Sequence, residues 1–475
     1  MRTPIRFAEC PFAARPLSRV RFGTLAAANA ASVMALYWNQ ALVNDLAATF
    51  PEARFLSLVS AMTLAGYAAG VGLIAFGPAA LGRLSIGRHL GFLAIALASA
   101  GSAPNVPTLA IISFFVGCGA SAAPRLLARA AHLVESAVAG TAIGQVICGS
   151  LIAVLGVRLL GEDLARVLGW RSIFFTVAAI VASLSLLASG TRATHDLQGL
   201  TAAAPGTVRA LWRSCPLLRR AAAQQAALFA AFNASWMTVL VELPPQERPL
   251  VVIGGCCSGL IAALLAGRSS DKFGQHGVVK AGAAAILIAA SLLLPAAYST
   301  PSGVSRTLLL VAGMALVDAG LQVALVANQT RVQALEPLAR TQLAATLTVC
   351  GALGGAIGAG AGYWLWQTFG WPAAIGFVAA AGYAGFSCSV FTAAVRLRFS
   401  QASSAAGNAK QPSRMACRSD QHRQPQQAIS IHEDIGPRDP HSQHAGWFLF
   451  PDVRGGQARH GMTRIVREKT PTQGV

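Results

Sequence analysis

A carboxylate inside an apolar run is the residue of this chain with the plainest chemical potential. Asp318 lies near the middle of the stretch 306–327, which is otherwise built largely of Leu, Val, Ala and Gly. An ionisable side chain is costly at such a place, so it marks a functional site by default. Gln322 and Gln329 follow at i+4 and i+11, which puts one carboxylate and two amides on one helix face, with Leu325 between the amides. Such a stripe can exchange a proton, pair with a cationic solute, or make a buried helix–helix hydrogen bond with Asp318 protonated. Arg158 ends an earlier apolar run and is followed by Glu162 and Asp163. It can partner an anionic solute or Asp318, or instead snorkel to an interface and pair with Glu162 at i+4. Asn39 and Gln40 are candidate hydrogen-bonders for a solute, or between helices. Glu242, just before Pro244 and Pro245, reads as a charge at a helix end.

Other chemistries find no footing. There is no HExxH, no GxSxG and no pair of intramembrane aspartates, so the chain is not expected to be an enzyme. A GxxxxGK[ST] sequence is also missing, so coupling to ATP hydrolysis within the chain is not expected. Nine cysteines are scattered without ligand spacing, and the adjacent pair Cys256–Cys257 sits in an apolar run. They read as packing residues, not as a disulfide framework or metal site. No cofactor is expected.

The elements that must position these residues follow from composition. The 475 residues are 54% hydrophobic and 12% charged, with mean hydropathy +0.54. A soluble domain carries roughly a quarter charged residues, so most of this chain's surface faces something apolar. The net charge of +19 could suggest nucleic acid, but the basic residues form short clusters between apolar runs. Twelve segments approach the 20 or so apolar residues needed to span a bilayer: 22–43, 57–80, 88–104, 107–124, 138–160, 169–188, 222–242, 248–267, 277–298, 306–327, 343–365 and 372–395. The fold class expected is an all-α membrane protein with twelve transmembrane helices in two six-helix pseudo-repeats.

Five parts follow: a cytoplasmic tail 1–21, a six-helix bundle 22–189, a cytoplasmic linker 190–220 with little structure of its own, a second bundle 221–395, and a disordered cytoplasmic tail 396–475. With both termini inside, nineteen Arg and Lys before residue 396 fall in inner segments and six in outer ones, as positive-inside orientation requires. The five N-terminal arginines precede a retained first helix, not a cleaved leader. Arg outnumbers Lys 33 to 4, which suggests a GC-rich bacterial genome and hence an inner membrane. A weak repeat supports the halves: Leu168-Gly169-Trp170 recurs as Phe369-Gly370-Trp371, and Trp38 as Trp236. Parallel repeats of this kind underlie alternating access in one class of transporters.

The segment Gly267-Arg268-Ser269-Ser270-Asp271-Lys272-Phe273-Gly274 resembles the G-x-x-x-D-[RK]-x-G loop of the major facilitator superfamily. Here Gly267 would let two helices approach, Asp271 and Lys272 would latch one conformation, and Gly274 would make the turn. The first-half counterpart is degraded, with Leu81 where the motif has Asp. Tyr37-Trp38-Asn39-Gln40-Ala41-Leu42 resembles a Y-x-N-Q-P-L signature of a bacterial drug/proton-antiporter branch, and Gly66-Tyr67-Ala68, Ala130-Ala131-His132-Leu133 and Ala327-Asn328-Gln329 strengthen it. The resemblance covers about residues 20–395 and implies a proton-coupled antiporter. Ser113 stands where many proton-coupled members carry an Arg in the fourth helix, while Arg125 and Arg129 are expected to snorkel at its inner end.

Small-residue strips in the fifth helix (Gly140, Gly144) and the eleventh (Gly354, Gly358, Gly362) are expected to pack helices closely. The function expected is secondary transport of a small organic solute by alternating access, as proton-coupled efflux. The alternatives are an uptake symporter or facilitator, or a transporter-derived sensor. Expected partners are the solute, protons and the lipid bilayer, without nucleic acid, for a chain acting as a monomer.

Overall fold

The apolar runs are helices in a computed structural model of the chain, which describes residues 16–50, 55–77, 84–133, 139–189, 206–244, 246–298 and 304–406. The first span is broken: α1 covers Pro16–Met34, α2 Trp38–Ala41 and α3 Val43–Thr49. The interruption falls at Leu36 and Tyr37, whose amides bond three residues back, to Val33 and Met34, in place of four. Then come α4 (Leu56–Phe76), α5 (Ile86–Gly101), α6 (Val106–Ala120), α7 (Ala123–His132), α8 (Ala139–Leu168) and α9 (Trp170–Ser189). The later helices are α10 (Thr207–Ser214), α11 (Pro216–Glu242), α12 (Arg248–Phe273), α13 (Gln275–Leu293), α14 (Val304–Gln333), α15 (Arg340–Phe369) and α16 (Trp371–Ala406).

Helix ends follow caps and glycines, not the points where apolar side chains stop. Asn105 accepts from the Thr108 amide and opens α6, and Ser85 accepts from Arg88 and opens α5. Gly169, Gly274 and Gly370 have φ of 78°, 76° and 76°, a conformation that lets the chain turn straight from one helix into the next. Gly169 and Gly370 are the glycines of the two repeated Gly-Trp sites.

The helices depart from the expected segments in several places. The basic stretch 268–273 is the last part of α12, and only Gly274 separates it from α13. Within 190–220, expected to lack structure, α10 and the start of α11 are helical, while 190–205 lie outside the described residues. The tail expected to be disordered from 396 continues α16 as far as Ala406, and α1 begins inside the expected N-terminal tail. Among the described residues nine helices are long and apolar enough to cross a membrane, against twelve expected spans. The other three places hold the interrupted α1–α3, the apolar but 16-residue α5, and α11, whose first turns carry Arg219, Arg220, Gln224 and Gln225.

Among the described residues the two largest apolar cores follow the two halves. One gathers residues mainly from α1 to α9, around Leu90, Leu93, Leu97, Leu126 and Phe174, with Met237 of α11 and Ala356, Ala359 and Tyr363 of α15 joining it. The other gathers α11 to α16, around Trp236, Ile286, Leu293 and Met314. The two groups of helices, called bundles below, meet chiefly where α4 crosses α15, α8 meets α12 and α2 meets α11. Within the second bundle, Gly354, Gly358 and Gly362 of α15 lie on Ala226, Ala230 and Ala234 of α11, so closely that an added methyl group would strike backbone. In lipid, where burial of apolar area gives little drive, close contact of this kind holds helices together.

Candidate functional site

Asp318 occupies the middle of α14, about 21 Å from either end at 1.5 Å per residue, and is 4% exposed. Trp236 of α11 donates its ring N–H to Asp318 Oδ2 at 2.9 Å. Gly255 and Gly259, one turn apart on α12, make room for the carboxylate. A methyl group at Gly255 would lie 2.9 Å from the Trp236 ring and 3.3 Å from Asp318 Oδ2. Arg158 reaches the same layer from the other bundle. Its guanidinium carbon is 3.8 Å from the Trp236 ring centroid, 5.0 Å from that of Tyr37 and 5.3 Å from that of Phe232, and Nη1 approaches Cys256 Sγ at 3.9 Å.

Aromatic faces are the main support a buried guanidinium finds here. Arg158 and Asp318 make no direct ion pair, although the charge of the first acts on the second. Trp236 lies between them, its face to the cation and its N–H to the carboxylate. Two buried donors of Arg158, Nε and Nη2, have no hydrogen-bond partner among the described residues.

Toward the Leu168 end of α8 the bundles are joined by charge. Glu162, one turn beyond Arg158, is ion-paired with Arg248 of α12 and accepts from Asn44 Nδ2 at 2.7 Å. Asn44 also points to the Leu240 carbonyl at 3.4 Å. One layer deeper, Gln40 Nε2 donates to Asn233 Oδ1 of the second bundle at 3.0 Å. The recess lined by Arg158, Glu162 and Arg248 measures about 40 Å³, room for a water or two but not for an organic solute. A wider cleft of about 1150 Å³ lies on the flank of this same end, lined by Phe55, Glu242, Trp364 and Trp366. It does not reach Asp318. Glu242 there accepts from Trp366 at 2.8 Å and lies 3.7 Å from Arg306.

The expected site residues divide. Asp318 and Arg158 meet at Trp236, Gln322 packs beside Asp318 against Gly259, and Gln40 bonds to Asn233 across the bundles. Asn39 instead donates to Thr63 and Ser113 at 2.9 and 3.1 Å, tying helices of the first bundle together. Gln329 is half-buried three turns from Asp318, and its neighbour Asn328 makes the bonds. Glu162 pairs with Arg248 in place of Arg158, because the Arg158 side chain runs across to Trp236. Gly274 makes the expected turn, and Lys272 stays exposed. Gly267, however, has nothing within 4 Å of an added methyl group and packs no helix, because α12 runs on past it. The side chains of Arg268 and Asp271 lie outside the described residues, as do residues 78–83 with Leu81.

Gly144 likewise faces open space, which corrects the packing expected there, and the surroundings of Gly140 lie outside the described residues. Arg125 does not snorkel. It is 4% exposed and turns inward to His89 Nδ1 at 3.4 Å and the Leu84 carbonyl.

Sequence reasoning missed Trp236 as the carboxylate's partner, the Glu162–Arg248 contact and a network near the far end of α14. There Arg331 donates to Asn328 Oδ1 and Gln224 Oε1, both at 2.7 Å. The pairing of Trp38 with Trp236 was the one signal that singled out the second tryptophan.

No protein-family model matches the chain. By sequence it is 26% identical to YgaY, an uncharacterised transporter of Escherichia coli, over 358 residues that cover 72% of this chain and 87% of the relative. A protein of Streptomyces coelicolor named a probable transporter is 30% identical over 253 residues, 47% of this chain and 54% of that one. By structure it resembles the E. coli xylose transporter XylE in its inward-open conformation, with TM-score 0.60 and 15% identity over 79% of this chain and 95% of that one. A partially occluded inward-open form of XylE gives 0.57. The chain has the major facilitator fold. The relatives by sequence are named transporters, which supports a multi-pass membrane transporter, and the likeness in structure shows the fold. In major facilitator terms the Arg158–Trp236–Asp318 layer lies between the two bundles.

Proposed function

We propose that this transporter carries a small organic solute by proton-coupled alternating access, its bundles 22–189 and 221–395 rocking about the Arg158–Trp236–Asp318 layer. One observation carries the reading. A buried carboxylate at mid-depth in one bundle and a buried arginine of the other meet on the two sides of a single tryptophan. Moving the bundles changes the surroundings of both charges, so the protonation state of Asp318 and the conformation depend on each other. The loop charges support placing the Glu162 end outside and both termini in the cytoplasm of a bacterial cell, with the chain a monomer in the inner membrane. The residues joining the bundles at Glu162 then close the outer side. Asp271 and Lys272 are the proposed inner latch.

Efflux by antiport is the direction that the resemblance to the drug/proton-antiporter branch supports. It requires solute and proton to exclude each other at Asp318. Uptake with the proton is a second reading, favoured by the unpartnered donors of Arg158, which suit an anion that binds when Asp318 is protonated. Purified protein in proteoliposomes with an imposed pH gradient tests the common claim. Asp318→Asn should abolish gradient-driven accumulation while leaving solute exchange. Undiminished accumulation in that variant refutes the role of the carboxylate.

A further inference from the structure

Arg158 brings a full positive charge into the bundle interface and leaves part of its bonding capacity unused. It is 6% exposed, its faces are taken by aromatic rings, and among the described residues Nη1 touches the weak acceptor Cys256 Sγ. The two donors without a partner among the described residues, Nε and Nη2, are the side-on edge of the guanidinium. Their N–H bonds run parallel, with the spacing of the two oxygens of a carboxylate. A buried donor without an acceptor costs free energy, and two on one edge are a geometric specification of what should meet them.

Asp318 does not meet them: its Oδ2 is held by Trp236, and the Gly255–Gly259 face of α12 seats its side chain away from a direct ion pair. Its carbon stands over the rings of Tyr37, Phe232 and Trp236, so the guanidinium's neighbours are aromatic and match an apolar or aromatic body better than a second charge. We infer that the solute is an organic monocarboxylate, held side-on by Nε and Nη2 of Arg158 with its body against these rings. The inference rests on reading this layer as the transport site.

One consequence concerns the proton. The charged and titratable groups facing Asp318 are Arg158 from α8, Tyr37 from the first span and Cys256 from α12. From α13, Ala285 and Ile286 pack at Gly320 of α14, one turn or less from Asp318. A bound carboxylate neutralises Arg158, the only cation among these groups, so it favours the protonated form of Asp318, and protonation in turn favours the anion. Solute and proton then bind together, which makes the coupled process cotransport.

The test uses the purified full chain and calorimetric binding of acetate, benzoate and indole-3-acetate. Benzamide and benzylamine are counterparts of equal body, and nitrate is an inorganic anion. A carboxylate should bind at least about tenfold more tightly than its amide, and Arg158→Lys, which keeps the charge but loses the fork, should weaken it roughly 10–100-fold. Asp318→Asn should tighten binding about tenfold by removing a like charge a few ångströms away, and should abolish the proton uptake that accompanies binding. That gain cannot come from misfolding.

The inference is overturned if no carboxylate of the set binds, if benzamide equals benzoate, or if Arg158→Lys binds as the parent does. Nitrate binding as tightly as benzoate overturns its organic half. Benzylamine bound and driven by a pH gradient would leave the transport reading standing and refute this one. Benzoate bound through Arg158 without flux in proteoliposomes would do the reverse.

Discussion

Replacing Glu162 by Gln removes one charge from the contact that joins the bundles at the Leu168 end of α8. In the structure the glutamate is ion-paired with Arg248 and accepts from Asn44 at 2.7 Å, with side chains 22% and 14% exposed for Glu162 and Arg248. Gln at 162 still accepts from Asn44, so the loss is the charge pair. Two unit charges 4 Å apart interact by about 4 kcal/mol at an effective dielectric of 20. Desolvation of two mostly buried groups offsets part of this, and a net of about 2 kcal/mol is reasonable. If that end is open in 1 molecule of about 100, a 2 kcal/mol change raises the open fraction to about one in four.

Spin labels at Ala48→Cys and Gln246→Cys, on a background without the native cysteines, report the distance across this end. The variant should show a second, longer distance population. Arg248→Gln should do the same, and the double variant should be no more open than either single one, because both remove one interaction. An unchanged distance distribution, or singles whose effects add, refutes the assignment of this pair as the closure.

Further predictions follow from packing. Gly358→Ala should lower the thermal midpoint in detergent, at a cost of about 1–3 kcal/mol from pressing α15 off Ala230, whereas Gly144→Ala, which meets open space, should leave it unchanged or slightly raised. Arg331→Met leaves Gln224 and Asn328 without their donor and should cost about 2–4 kcal/mol, read as a lower midpoint. Gly370→Ala forces a side chain into φ of 76° and should cost about 1–2 kcal/mol. The same change at Gly169 should cost about as much if the two Gly-Trp turns are equivalent.

The parts of the site that were legible in the sequence are those whose signal is local. A carboxylate in an apolar run, an Arg at its edge and a glycine period of four announce themselves within one helix, and Asp318, Arg158 and the α15 strip were found in this way. Contacts between helices distant in sequence have no local signature. Nothing near Trp236 says that its N–H meets a residue of α14, and Glu162 has a nearer arginine in sequence than the one it binds. Small residues mislead for the same reason: Gly144 and Gly354 belong to similar i, i+4 patterns, yet only the second faces a neighbouring helix. Helix ends were shifted because caps at Asn105 and Ser85 and a turn at Gly274 outweigh the hydropathy of the adjoining residues.

The Glu162–Arg248 contact is buried enough to hold, yet both side chains stay partly exposed. A pair in that position is partly screened by ions from the compartment it faces, over a length of about 8 Å at physiological ionic strength. Salt added on that side alone would loosen the closure, while the same salt on the opposite side would not reach it. The transport cycle would then take part of its pace from the ionic composition of the compartment on that side, independently of any gradient in solute or proton. In dilute surroundings this end would stay shut longer, and in brine it would open more often.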